Sequence, residues 1–409
     1  MREPPLRMIP PSPAQLASDP AAPWIAFVPS EPGAVQFAAV ANRYRELGEL
    51  PLVVGQEDGW HRLVGERDAL RVFASYLTAV GHPAGELLCR ALEPAPAWQL
   101  RTRSLPLDRP HIMGILNLTR DSFSGDGVGR DLSAALERAE ALRAAGASLI
   151  DVGAESARAD RPVLEECDEA ELVGEAVARL VREGHVVSVD TYKGPVAAAG
   201  LSAGAEVVND ISGLTAGTAA AEEAAHAGAG YVLNYSYSEP KRRPESPPQY
   251  SDVVAETVGW MFERVRQLAE RGLLAPQVAV DPGIAFGKSH DQDLQVMRRI
   301  GEFQVLGLPV LLAHSRKNFI GSVNGQDPDD RDLETAVVAA LAYEQGARIF
   351  RVHDVAGVGR ALEMAAAFAS SRAGGFGPDE TSWPWRAGAS GRHASSAAAD
   401  REAPPGQRW

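Results

Sequence analysis

From His111 to about Ser371 one pattern repeats along the chain. A short aliphatic or β-branched run ends in a polar residue, a loop follows, and an Ala/Leu/Glu/Arg-rich stretch then stops at a glycine. The apolar runs read as strands over 111–116, 148–152, 186–189, 206–208, 230–233, 277–280, 309–312 and 348–352. The stretches between and after them predict helices near 132–145, 164–183, 194–203, 217–227, 251–271, 291–306, 332–345 and 355–370. Several helix exits share one form, as in Ala145-Gly146-Ala147 and Ala203-Gly204-Ala205. Glycine there takes the left-handed conformation cheaply and turns the chain into the next strand. Eight such units over about 260 residues match the (β/α)8 barrel in number and length. A doubly wound open sheet of eight strands is the alternative.

In such barrels the reactive face lies at the C-terminal ends of the strands. Those positions carry Asn117, Asp151 with Glu155, Asp190, Asn209, Asn234, Asp281, His314 with Ser315, and Arg351 with His353. One or two of these would be ordinary helix caps, but capping does not explain eight convergent polar ends. Carboxylates and amides around an apolar tube suit a flat heterocycle with several donors and acceptors on its edge. A buried carboxylate is costly unless it meets paired donors, and an aminopyrimidinone edge offers two adjacent N–H groups. Ser315-Arg316-Lys317 and Arg351-Val352-His353 form a basic corner suited to phosphate or pyrophosphate.

The remaining sequence differs. Residues 1–22 are Pro-rich and 372–409 are Gly/Ser/Ala/Pro-rich without a period, so both read as disordered tails. Residues 23–104 read as a small α/β extension of structural role, with strands at 24–28 and 52–54, helices at 33–47 and 67–80, and a Pro-containing connection at its end. The barrel takes 105–371. A net charge of -14 argues against a protein whose work is coating nucleic acid. Two cysteines exclude a disulfide scaffold. No apolar run reaches the length of a membrane span, and the N-terminus lacks a signal-peptide core. A soluble protein of a reducing, cytoplasmic compartment is expected.

Two glycine-rich stretches carry no nucleotide site. Gly125-Asp126-Gly127-Val128-Gly129 lacks the dinucleotide spacing, and Gly283–Ser289 has three residues between its glycines where a P-loop has four. No His/Cys cluster suggests zinc.

Taken in order, seven segments resemble the dihydropteroate synthase family: HIMGILNLTRDSFSGDG from His111, LIDVGAESAR from Leu149, SVDTYK from Ser188, VNDISG from Val208, DPGIAFGK from Asp281, SRKNFI from Ser315 and RVHDV from Arg351. The resemblance covers about two-thirds of the chain, and the N-terminal unit looks similar to an extension of some longer bacterial and archaeal members. It implies a (β/α)8 barrel that condenses a hydroxymethyl-dihydropterin pyrophosphate with 4-aminobenzoate, pyrophosphate leaving first. By this resemblance Asp190, Asn209, Asp281 and Lys317 hold the pterin, with Asp126, Arg158, Asn234 and Ser315 among the substrate-binding positions. Asn117, with Mg²⁺, faces the pyrophosphate together with Arg351 and His353. Asn117, Asp190, Lys317, Arg351 and His353 form the implied catalytic set. The loops 118–131 and 153–163 would close over the substrates, and a homodimer is implied.

Departures from the family pattern cluster on the acceptor side. The usual Thr-Pro-Asp-Ser-Phe-Ser-Asp-Gly-Gly is Thr119-Arg120-Asp121-Ser122-Phe123-Ser124-Gly125-Asp126-Gly127, and Ser-Thr-Arg-Pro is Ser156-Ala157-Arg158-Ala159. Met-His is Asn234-Tyr235, Gly-Thr is Ala313-His314, and Ala285 replaces a glycine. Three alternatives stay open at this level: a paralogue using another amine, an inactive pterin-binding protein, and a methyltransferase moving a methyl group from a folate to a corrinoid protein.

Overall fold

The computed structural model describes residues 7–9, 24–29, 52–57, 60–65, 67–79, 81, 83–93, 95–119, 129–155, 163–242 and 246–371. The first strands, β1 (Arg7–Ile9), β2 (Trp24–Pro29), β3 (Leu52–Glu57) and β4 (Trp60–Gly65), make an antiparallel sheet in the order β1-β2-β4-β3. Two helices, α1 (Arg67–Ala79) and α2 (Pro83–Leu92), follow. The sequence reading placed β1 inside a disordered tail. Instead its three residues pair with Ile25–Phe27 of β2. It also passed over β4 and α2, whereas the helix expected at 33–47 lies outside the described residues.

The connection before the barrel is a hairpin, β5 (Ala97–Gln99) with β6 (Ser104–Pro106). It straddles the expected boundary at 104 and belongs physically to the barrel. Trp98 is fully buried against Met113, Leu149, Val207 and Ile349, which face inward low in four barrel strands. Its indole N–H donates to the Gln277 carbonyl at 2.8 Å, so the polar end of a large apolar ring is satisfied. The Glu206 carboxylate accepts the Thr102 N–H at 2.7 Å and holds the hairpin tip. This hairpin plugs the floor of the barrel.

The barrel strands are β7 (His111–Asn117), β8 (Leu149–Gly153), β9 (Val187–Asp190), β10 (Val207–Asp210), β11 (Gly230–Asn234), β12 (Val278–Asp281), β13 (Leu311–Leu312) and β14 (Ile349–Val352). Neighbours are parallel in the order β12-β11-β10-β9-β8-β7-β14-β13. A single parallel bridge, Val280 to Val310, joins the two ends. The helices are α3 (Leu132–Ala144), α4 (Glu166–Arg182), α5 (Gly194–Ser202), α6 (Ala219–Ala227), α7 (Val253–Glu270), α8 (His290–Arg298), α9 (Asn318–Asn324), α10 (Asp332–Glu344) and α11 (Val355–Ser371). The closed barrel therefore replaces the open-sheet alternative. The long helix expected over 291–306 is α8 followed by a 3-10 segment, Ile300–Leu306. The short α9 was not anticipated. No helix among the described residues is long and apolar enough to cross a membrane.

Candidate active site

The strand ends converge as expected, and one arginine ties them together. Asp151, in the middle of the apolar run of β8, is fully buried. Its Oδ2 accepts Arg351 Nε at 2.5 Å and Asn209 Nδ2 at 2.9 Å, while its Oδ1 has no hydrogen-bond partner among the described residues. The same guanidinium donates through Nη2 to Asp190 Oδ2 at 2.6 Å. Among the described residues, two of the five guanidinium N–H groups are thus engaged, and the others can meet a ligand. Burial pushes the Asp190 carboxyl up to about 7; Arg351 opposes the rise and the neighbouring charge of Asp151 adds to it. Burial also raises Asp281, with Lys317 and the Gly283 N–H pulling the other way.

The loops behind this cluster are drawn close by glycines. Gly283 sits at φ +69, and a Cβ there would lie 2.0 Å from the Tyr235 carbonyl oxygen. Gly213 sits at φ +56, and its Cβ would lie 2.1 Å from the Asn234 carbonyl oxygen. Only glycine allows both loops to touch the end of β11. The buried Asn234 amide spends its N–H groups on the carbonyls of Ile211 (2.9 Å) and Tyr235 (2.8 Å), fastening adjacent strand ends. Tyr235 packs edge-on against Trp260 of α7, its hydroxyl 2.7 Å from that of Tyr250.

Two lysines lie close to Asp281. Lys317 Nζ donates to the Ile284 carbonyl at 2.7 Å and stands 4.9 Å from the centre of the Phe286 ring. Burial lowers its pKa to about 8, partly offset by Asp281 and Asp293. Lys288 Nζ donates to the carbonyls of Pro282 (2.9 Å) and Gly283 (3.2 Å) and lies 3.7 Å from the Tyr235 ring centre. Burial brings it down to about 7 against the pull of Asp293 and Asp281. Ser315 Oγ is 2.8 Å from His353 Nδ1 and accepts the His353 backbone N–H at 3.2 Å. Ala285 holds φ +68, a left-handed conformation unusual for a residue with a side chain.

Of the expected site residues, Asp190, Asn209, Asn234, Asp281, Ser315, Lys317, Arg351 and His353 all stand at this end of the barrel, with Asn117 half-buried at the end of β7. Asp126 and Arg158, and the altered Ala157 and Ala159, lie outside the described residues. One ring member is corrected. His314 is fully buried, its Nε2 2.8 Å from the Thr335 carbonyl, and burial lowers its pKa to about 4. It is a neutral ring spent on the α10 backbone. Arg351, assigned to the pyrophosphate side, pairs with Asp151 and with Asp190, assigned to the pterin. Asp151 stood among the polar strand ends read from sequence but was given no role there, and Lys288 was not singled out at all. A carboxylate inside the apolar run Leu149-Ile150-Asp151-Val152 was the available signal.

Among the described residues no group of three or more His, Cys, Asp or Glu side chains could hold a metal ion. What β7 offers is one amide oxygen, that of Asn117. Such a donor suits Mg²⁺ bound mainly by phosphate oxygens and water, and does not suit an all-protein cage.

Residues 113–353 match the model of the family described as pterin binding enzyme. The dihydropteroate synthase of Escherichia coli K12 is 37% identical over 272 residues, which are 66% of this chain and 95% of that protein. The structure of the Yersinia pestis dihydropteroate synthase with a sulfonamide drug superposes with a TM-score of 0.64 at 34% identity, covering 67% of this chain and 99% of that one. The Thermus thermophilus dihydropteroate synthase in complex with 4-aminobenzoate superposes with a TM-score of 0.59 at 34% identity, over 66% and 98%. The β1–β4 sheet and helices α1 and α2 precede the matched family region.

Proposed function

Because this chain belongs to the dihydropteroate synthase family of pterin-binding enzymes, we propose that its barrel mouth joins 6-hydroxymethyl-7,8-dihydropterin pyrophosphate to 4-aminobenzoate. The C–O bond to pyrophosphate breaks, and the leaving group takes the electron pair. The aryl amine nitrogen then bonds to the exocyclic carbon and gives up a proton. The observation that carries this reading is the Asp151–Arg351–Asp190 bridge, anchored on the fully buried Asp151, with Lys317 close to Asp281.

Asp190, Asn209 and Asp281 would receive the N–H edge of the pterin, and Lys317 would donate to it. The three remaining N–H groups of Arg351, with His353 and Ser315, would meet charge growing on the departing pyrophosphate. Fixed donors aimed at developing charge in a dry site are a strong source of acceleration. Asn117 would supply an oxygen to Mg²⁺ carried by the pyrophosphate; when bound, that ion neutralises phosphate charge. Asp126 and Arg158 are assigned to the substrate-covering loops on the family pattern. The cytoplasm, where Cys89 and Cys167 stay free thiols, is the compartment this reading implies.

At the described positions the departures do not rebuild the acceptor side. His314 is spent on Thr335, and Asn234 donates to two backbone carbonyls. We therefore favour 4-aminobenzoate over another amine. A homodimer is supported by the outer helices, where Leu333, Val337 and Leu341 form an exposed i, i+4, i+8 stripe on α10 beside Met364 and Phe368 of α11. The test is incubation of the protein with the pterin pyrophosphate, Mg²⁺ and a panel of aryl amines, with products weighed by mass spectrometry. Dihydropteroate formed preferentially is the expected product. Pterin binding without pyrophosphate release would leave only a binding protein.

A further inference from the structure

The connection from β12 to α8 holds Lys317 through a single peptide group. The Phe286 N–H donates to the Gly283 carbonyl at 3.1 Å and closes a tight turn over 283–286. Of its two central residues only Ala285 has a positive φ, at +68. That is the pattern of a type II turn, whose third position favours glycine. In a type I turn the ends stay in place, the central peptide faces the other way, and the third residue has a negative φ open to any side chain. Alanine at 285, where the family pattern has glycine, therefore leans towards the flipped form.

Two side chains oppose that lean. The central peptide is the one between Ile284 and Ala285. Its carbonyl accepts Lys317 Nζ at 2.7 Å, and its N–H donates to Asp293 Oδ1 at 2.9 Å. A flip would break both bonds at once. Asp293 is fully buried in the first turn of α8, and its Oδ2 has no hydrogen-bond partner among the described residues. The helix is capped without it, because Ser289 and Gln292 form a reciprocal capping box. Burial raises the Asp293 carboxyl to about 6, and the Ala285 N–H, Lys288 and Lys317 oppose the rise. A carboxylate is costly to bury, and the bond that its placement secures here is the one to Ala285.

We propose that Asp293 is a positioning residue for Lys317: by holding the Ile284–Ala285 peptide in its type II orientation, it fixes the ammonium at the barrel mouth. This rests on the role given to Lys317 above, that of donating to the pterin. Asp293 itself need not touch the ligand.

The test uses the full-length chain and compares Asp293→Ala, Asp293→Asn, Ala285→Gly and the double variant Ala285→Gly/Asp293→Ala. Affinity for the pterin pyrophosphate is read by calorimetry, and the rate of Lys317 acetylation by acetic anhydride is read by mass spectrometry. Asp293→Ala should weaken pterin affinity about tenfold, the effect of losing one bond to a charged group, and should speed acetylation as the tether of Lys317 goes. Asp293→Asn keeps an oxygen for the Ala285 N–H and should recover most of both effects. Glycine at the third position favours the type II form by itself, so the double variant should return both readings to within about threefold of the parent. If Asp293→Ala does not fold, Asp293→Leu, alone and with Ala285→Gly, gives the same comparison. A loss that Ala285→Gly leaves unrelieved would overturn the proposal, as would acetylation of Asp293→Ala at the parent rate. Absence of pterin binding by the parent, with Lys317 acetylation still following this order, would instead overturn the reaction reading.

Discussion

Arg351 Nη2 lies 2.6 Å from Asp190 Oδ2, and the neighbouring Nε of the same guanidinium lies 2.5 Å from Asp151. The residue assigned to the leaving group and a residue assigned to the pterin are therefore one ion pair. Arg351 and Lys317 must then respond differently to removal. Arg351→Ala strands the buried Asp151 and the half-buried Asp190 carboxylates, and breaking a buried pair commonly costs about 3–5 kcal/mol, so thermal stability should fall together with turnover. Lys317→Ala removes a cation that burial already disfavours. Its melting temperature should hold or rise, while kcat/KM drops by about 10²–10³, as expected when a preorganised donor is lost. Parallel calorimetry and kinetics separate the two; a destabilised Lys317→Ala with normal turnover would contradict both assignments.

Stability should depend on pH with opposite slopes on the two sides of neutrality. Asp190 is raised to about 7 from an ordinary value near 3.8, so between those values the folded chain binds more protons than the unfolded one. Its contribution is present below about 4 and is lost as pH rises to about 7. Lys288, lowered to about 7 from 10.5, acts in the reverse sense, its penalty easing as pH rises from about 7 towards 10.5. Urea titrations of Asp190→Asn and Lys288→Met should flatten the lower and the upper slope respectively. Parallel curves for parent and variant would remove the burial account.

Ala285→Gly should stabilise the protein by about 0.5–1 kcal/mol. The exposed Ala285 is held at φ +68, where a Cβ costs roughly 1–2 kcal/mol, offset in part by the larger unfolded-state freedom of glycine. A rise in the denaturation midpoint with an unchanged slope is the expected result. A fall would mean that the methyl group makes contacts worth more than the strain.

Trp98→Ala should cost about 3–5 kcal/mol, as for other large core truncations. Its ring is fully buried in the barrel floor, far from the mouth. Near-parent kcat/KM under conditions where the variant stays folded is expected; selective loss of pterin affinity would show that the floor shapes the mouth.

The barrel was legible because its strands are apolar on both faces and its polar ends recur, so that Asn209, Asp281 and Arg351 could be placed before any coordinates. Partners were another matter. Asp151 and Arg351 are 200 residues apart, and nothing local to either announces the other. His314 misled because polarity at a strand end says nothing about which way a side chain turns, and β13 spans only Leu311–Leu312. Trp98 sat in a segment that looked like a linker, since a two-stranded hairpin draws its stability from the barrel it plugs. Ala285 was visible as a departure from the family pattern, but its left-handed backbone was not.

The eight staves of the barrel are not fastened equally. Seven joints are laddered pairs, whereas among the described residues β12 and the segment entering β13 share one bridge, Val280 to Val310, with the Val280 N–H donating to the Pro309 carbonyl at 2.9 Å. Asp281 follows directly on one side of that joint, and Ser315 and Lys317 lie shortly beyond the other. Carboxylate and ammonium thus stand on either side of the least-paired seam of the hoop. An occupant that bridges the two sides would cinch the hoop, so amide exchange at Val280 and Val310 should slow when the mouth is filled.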